Sequence, residues 1–300
     1  MLLKTMRTLL FGLGLLLPPV AQAQTNLSTR QEVGLPYLTC FSPKGYGGGN
    51  QDWSFAQDSR GMIYVGDNLG VLEYDGASWR LILTATNNVV RSLGVGDDDT
   101  VYVGSATDFG YLAPDETGML AYVSLFEYIP EDDRAFNDIW TVLPTPGGIY
   151  FQARERLFRF TRDGDGWAVK VWRPEGVFYY AFWLDDTYYV HQGGVGLMKM
   201  VDDELELLPG GEQFSGERLH VFLPYERRTS GADLYLVGTF NRGLFLFDGQ
   251  AFTPFETEAD DLLVNATIYK GAVLPGETYG LALIDGGLLV IDREGKVVVP

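Results

Sequence analysis

The chain carries 40 carboxylates among its 300 residues but only two imidazoles, His191 and His220, and one thiol, Cys40. Metal centres built on imidazole and thiolate draw three or four ligands from short, fixed spacings. Two separated histidines and one distant cysteine supply no such set, so no metal is expected. No cofactor is expected either, because there is no phosphate-cradling glycine loop and no dinucleotide fingerprint, and a nucleophile elbow is also missing. Asp163-Gly164-Asp165-Gly166 begins like a calcium loop but lacks the later acidic ligands and the closing glutamate. It reads as a hairpin turn, since Asp-Gly supplies the positive φ that tight turns need. Asp97-Asp98-Asp99, Asp202-Asp203 and Asp260-Asp261 read as turns in the same way. One catalytic class stays open on composition. Glycoside hydrolysis needs two carboxylates a few ångströms apart, and 40 acidic residues permit many pairs without singling one out.

Candidate binding residues are easier to place. Asparagine stands just before a β-rich run at Asn50, Asn88, Asn137 and Asn265, and the first residues of these runs include Asp52, Trp53, Arg91 and Trp140. Two further runs open with Tyr180 and His220. A second group falls in loops further on: Asn68, Asp108, Arg154, His191, Asn241 and Arg242. Taken singly, an asparagine here caps a turn with its amide, and a tryptophan or tyrosine belongs to a core. Brought together, these amides, carboxylates, arginines and aromatic faces would suit a small polyhydroxylated ligand, an oligosaccharide or a peptide.

The elements that would bring them together repeat along the chain. An aromatic strand, a small loop with glycine, a second apolar strand and an Asp-Gly turn recur at IYVGDNLGVLEYDG from Ile63 and at five later places, ending with TYGLALIDGGLLVIDREG from Thr278. Tyr64, Tyr102, Tyr150, Tyr189, Tyr235 and Tyr279 mark the copies, with separations of 38, 48, 39, 46 and 44. A further strand precedes each marker, such as WSFAQD from Trp53 or ATIYKG from Ala266, and others follow the turn, such as SWRLIL from Ser78. These runs are rich in β-branched and aromatic residues and bounded by Gly, Asp and Pro. Four strands in each period of roughly 40–50 residues is the pattern of a propeller blade. A helical solenoid would need amphipathic helices of ten or more residues, and Gly, Pro or Asp-Asp breaks nearly every candidate. The expected fold is an all-β propeller with six legible four-stranded blades. Residues 33–41, VGLPYLTCF, are available to complete the last blade, and a seventh blade or a truncated ring is the alternative. In such a disc the start of each inner strand and the loop between second and third strands reach the same face. Both groups of candidate residues then ring one mouth of the channel.

From Phe41 to Leu81, FSPKGYGGGNQDWSFAQDSRGMIYVGDNLGVLEYDGASWRL, the chain resembles the opening of the two-component regulator propeller family. The strongest local match is Gly70 to Trp79, and GLFLFDG at Gly243–Gly249 repeats it. Arg154 to Phe160 departs from the pattern by lacking the glycine, and Val201 to Glu204 by lacking Asp-Gly. The resemblance implies a non-catalytic sensor outside the cytoplasm that passes a signal through a membrane helix to a kinase, cyclase or DNA-binding module. Such a receptor can pair as a homodimer, and it meets the membrane only through a C-terminal segment beyond this sequence. The aspartate boxes of sialidase propellers are missing, because Asp58-Ser59-Arg60-Gly61 lacks their Thr-Trp. Two other classes remain as alternatives: a secreted propeller hydrolase acting on carbohydrate, and a protein–protein interaction scaffold.

The ends and the charge agree with export. Lys4 and Arg7, an apolar run from Leu9 to Leu17 and Ala21-Gln22-Ala23 have the layout of a signal peptide. The run is too short to cross a bilayer, so residues 1–23 are read as a cleaved leader and residues 24–300 as a propeller sensor in the periplasm or outside the cell. Losing Lys4 and Arg7 and no acid takes the net charge from −18 to −20. So negative a surface excludes nucleic acid as a partner, because that affinity rests on Lys and Arg contacts to phosphate. With Cys40 alone, no disulfide can form within the chain, and the core must hold the fold.

Overall fold

The computed structural model describes residues 39–226 and 233–299. The leader read into residues 1–23 lies outside them. Blade one is formed by β1 (Asp52–Gln57), β2 (Ile63–Asp67), β3 (Gly70–Tyr74) and β4 (Trp79–Ile82). Blade two follows with β5 (Val90–Val95), β6 (Val101–Ser105), β7 (Phe109–Pro114) and β8 (Leu120–Ser124). Blade three holds β9 (Ile139–Thr145), β10 (Gly148–Ala153), β11 (Leu157–Asp163) and β12 (Gly166–Trp172). Blade four holds β13 (Phe178–Leu184), β14 (Thr187–Gln192), β15 (Gly196–Val201) and β16 (Glu204–Leu207). Blade five holds β17 (Leu219–Glu226), β18 (Leu234–Thr239), β19 (Leu244–Phe247) and β20 (Phe252–Phe255), and blade six β21 (Ile268–Leu274), β22 (Thr278–Leu283), β23 (Gly287–Ile291) and β24 (Val297–Val299).

Each sheet is antiparallel and built from four consecutive strands, so every blade is a meander complete in itself. The six-bladed, four-stranded propeller expected from the repeats is the fold. Blade six takes its fourth strand from Val297–Val299 and not from the segment ahead of blade one. Of that segment, residues 33–38 lie outside the described residues. Phe41 instead packs edge-on against Tyr74 and Trp79 of blade one, at 5.2 and 5.3 Å between ring centroids. The six tyrosine markers all fall in second strands, which carry alternate side chains to opposite faces of the sheet.

Apolar faces meet between consecutive blades. Tyr64, Val71, Val90 and Val103 join blades one and two, and Phe109, Phe151, Phe158 and Phe160 join two and three. Tyr150, Phe178 and Tyr188 join three and four, Leu197, Phe222 and Phe245 four and five, and Val221, Leu236, Ile268 and Leu281 five and six. The inner strands follow the same order: β1 packs on β5, β5 on β9, β9 on β13, β13 on β17 and β17 on β21. No packing of similar extent joins β21 to β1. Ser54 and Ala56 face blade two, so the alternation of the strand turns Phe55 the other way, where it is 70% exposed. On the last blade Leu289 and Ile291 face blade five, which leaves Leu288 on the far side and 56% exposed. Among the described residues the ring therefore has five packed interfaces and one open seam.

Candidate functional site

Every inner strand begins with a β-bulge. Opposite β2, Asp52 pairs with Asp67 and Ser54 with Gly66, which leaves Trp53 without a counterpart. The same two-against-one step leaves out Arg91, Trp140, His220 and Tyr269 in β5, β9, β17 and β21. In β13, Tyr179 and Tyr180 together oppose His191. A bulge adds a residue, bends the strand and re-aims a side chain. Repeated in all six blades, it sends one ring of side chains to the axis: Trp53, Arg91, Trp140, Tyr180, His220 and Tyr269 line the channel.

At the mouth these groups enclose a cavity of about 210 Å³ walled by Trp53, Trp140, Tyr179, Tyr180, Phe240 and Tyr269, with His220, Ile284, Arg154 and Arg218. It adjoins a channel of about 680 Å³, whose wall adds Arg91 and Lys270. Neither wall contains a carboxylate. The cations lie over aromatic faces: Arg91 is 3.8 Å from the Trp53 centroid, Arg154 5.4 Å from Trp140, Arg218 5.0 Å from Tyr179, and the Lys270 ammonium 4.8 Å from Tyr180. Such contacts hold a cation in place without neutralising it. Arg91 alone among them has an ion pair, with Asp138 at 2.9 Å.

Burial sets the protonation of this wall. Loss of water around His220 pushes its pKa down to about 4; the Tyr269 carbonyl opposes this, while the charges of Lys270 and Arg218 add to it. A carbonyl can only accept, so His220 Nδ1–H donates to Tyr269 O at 3.1 Å, and Nε2 is left as a buried acceptor with no partner. The surrounding wall lowers the pKa of Lys270, although the side chain still reaches solvent, and burial raises that of Tyr180 to about 12, with Tyr269 adding to the rise.

The sequence-predicted residues separate into three groups. Trp53, Trp140, Arg154, Tyr180 and His220 meet at the mouth, and Arg91 lies in the channel beside them. Asn50, Asn68 and Asn137 stand behind the wall as supports: Trp53 Nε1–H donates to Asn68 Oδ1 at 2.8 Å, Asn68 donates in turn to Asn50 at 3.3 Å, and Asn137 donates to Glu155 at 2.7 Å. The Asn88 backbone N–H donates to the Thr84 hydroxyl, closing a turn. Asp52 sits at the start of β1, where Tyr46 donates to it at 3.4 Å; desolvation and then the neighbouring Asp67 raise its pKa. Asp52 and Asp67 are two adjacent carboxylates, but Asp67 is fully buried and accepts from the backbone of Gly49 and Leu69, so it is committed to holding the loop.

The remaining residues are elsewhere. Asp108 is buried and accepts from Phe109 N–H and the Ser124 hydroxyl, which makes it a loop anchor. His191 is fully buried, with Nε2–H donating to Phe214 O at 2.8 Å, because the bulge of β13 carries Tyr179 over it in a 5.4 Å stack. Arg242 reaches Gln213 O and lies over Phe214 and Phe245, away from the cavity wall, and its neighbour Asn241 is exposed outside it. Asn265 ends a short helix, α1 (Asp260–Asn265), and donates back to Asp261 O. The Asp260-Asp261 pair read as a turn opens that helix, where acidic residues favour the first turn. This moves the start of β21 to Ile268, so Tyr269 holds the channel position in blade six. Tyr179, Phe240, Tyr269, Lys270 and Ile284 were missed. For Tyr179 and Tyr269 the usable signal was the second position of the inner strand, which is legible only once the bulge is known.

Fold and site together define a six-bladed β-propeller with an aromatic, cationic channel mouth. No family model matches the chain, and no curated protein matches it. Among solved structures it is similar to the extracellular domain of the putative one component system BT4673 from B. thetaiotaomicron, with 19% identity, a TM-score of 0.58 and 83% of this chain covered. The chain spans 32% of the length of that protein. It is also similar to virginiamycin B lyase from Staphylococcus aureus, at 11% identity, TM-score 0.60, 82% of each chain covered. The WD40 propeller domain of Doa1 matches at 12% identity and TM-score 0.54, over 83% of this chain and 81% of that one. At such identities the likeness is one of fold. Among the described residues no helix is long and apolar enough to cross a membrane, and no three His, Cys, Asp or Glu side chains group as a metal site.

Proposed function

We propose that this propeller is the ligand-sensing region of an exported receptor of the two-component regulator propeller kind, and that it holds its ligand at the channel mouth without transforming it. The observation that carries the reading is the bulge-built ring of Trp53, Trp140, Tyr180, His220 and Tyr269 around one cavity. Flat aromatic faces with a few fixed polar groups suit the stacked rings and hydroxyls of a saccharide. The resemblance at Phe41–Leu81 and the likeness to the BT4673 extracellular domain support the receptor context. Hydrolysis of carbohydrate has less support, because the mouth and channel walls lack the carboxylate pair it requires. Calorimetric titration of a panel of oligosaccharides tests the proposal. Saturable binding is expected, with Trp140→Ala weakening it by about tenfold or more, the ~1–3 kcal/mol scale of a lost stacking partner. Binding that ignores Trp140→Ala, or turnover of the saccharide, would sink it.

A further inference from the structure

We infer that the ligand of the channel mouth is an anionic saccharide, one bearing a carboxylate or sulfate group. The inference rests on the reading of the mouth as the binding site and adds the charge of what binds there.

The protein as a whole is strongly acidic, at −18. Among the described residues Arg60, Arg80, Arg91, Arg156, Arg159, Arg173 and Arg293 pair with carboxylates, and Arg134 and Arg242 reach backbone carbonyls instead. The mouth gathers three cations with neither kind of partner. Arg154, Arg218 and Lys270 have no carboxylate within ion-pair distance among the described residues, and the walls they share contain none. Aromatic faces hold the three cations around one cavity. All three remain open to solvent, and their combined positive field favours an incoming anion. The field acts on the imidazole among them, since Lys270 and Arg218 help to keep His220 neutral. Guanidinium forks bind carboxylate or sulfate through paired N–H donors, which an ammonium does not do. The wall thus offers stacking faces for a ring and two forks for an acid group.

The test compares trigalacturonate with its fully methyl-esterified form, which keeps the backbone and loses the charge, and with a sulfated disaccharide, all titrated calorimetrically into the full chain. Binding of trigalacturonate or of the sulfated sugar, about tenfold or more tighter than the ester, is expected, and which of the two wins identifies the acid group. Arg154→Gln and Arg218→Gln should each weaken the charged ligand by about tenfold and the ester by less than about twofold. Affinity for the charged ligand should also fall as NaCl rises from about 50 mM to about 500 mM. Thermal melts confirm that both variants fold, and two independent positions protect against one misfolding. If the ester binds as tightly as the acid and Trp140→Ala still abolishes binding, the mouth takes a neutral sugar and this inference alone falls. If no saccharide binds, the reading beneath it falls as well.

Discussion

His220 is the residue whose chemistry the fold changes most. Burial between Tyr180, Phe240 and Tyr269, with Lys270 and Arg218 nearby, holds its pKa at about 4 against an ordinary 6.5. The unfolded chain therefore takes up this proton first as pH falls. The contribution to stability is constant above about pH 6.5, declines as pH drops toward 4 and levels below it, a total of about 3 kcal/mol at 1.36 kcal/mol per unit. His191 is lowered in the same direction by burial. Denaturant melts of wild type and His220→Gln across pH 7 to 4 isolate the term, and the variant should show a shallower decline by about that amount. Superimposable profiles would mean that the imidazole is not kept neutral. Which histidine would matter was not legible in sequence, because both lie in similar aromatic strands. One faces inward under Tyr179 and the other is carried to the mouth by a bulge.

At the scale of the element, glycine sets how closely the start of a third strand approaches the backbone beside it. Gly70 opens β3 at φ +154, and a Cβ there would stand 2.4 Å from Ile82 O; Gly196 opens β15 at φ +133 with 2.2 Å to Gly211 O. No L side chain fits at that distance without moving backbone. Gly70→Ala should destabilise blade one by about 2–4 kcal/mol, whereas Gly216→Ala, with nothing within 4 Å of the added carbon, should be close to neutral. Equal melting temperatures for the two variants would overturn the argument. The loop glycine was already part of the repeat visible in sequence, as in VGDNLGVLEY. The bulges were not visible, since one extra residue leaves the alternation of short aromatic strands almost unchanged. Blade six shows the consequence: its inner strand, read as starting at Ala266, begins at Ile268 after α1 has run to Asn265, and the bulge presents Tyr269.

Across the whole molecule, packed interfaces and the open seam should differ in stability cost. Phe109 is fully buried between blades two and three, stacked on Phe151 at 4.4 Å, and Phe109→Ala should cost about 3–5 kcal/mol. Phe55 is 70% exposed at the seam, and Phe55→Ser should change stability by no more than about 0.5 kcal/mol. A large loss from Phe55→Ser, measured by chemical denaturation, would show that the first and last blades pack on each other in solution. The sequence by itself determined the four-stranded repeat, six legible copies of it and the class of side chain near most inner-strand starts, because periodicity and turn chemistry are local properties, while a seventh blade or a truncated ring stayed open. Only the tertiary structure decided which of those side chains share a cavity. That depends on strand register, and a register step of one residue turns a side chain from the neighbouring blade to the axis. The same step separates Trp53, Trp140 and His220, which reach the mouth, from His191, which the fold encloses.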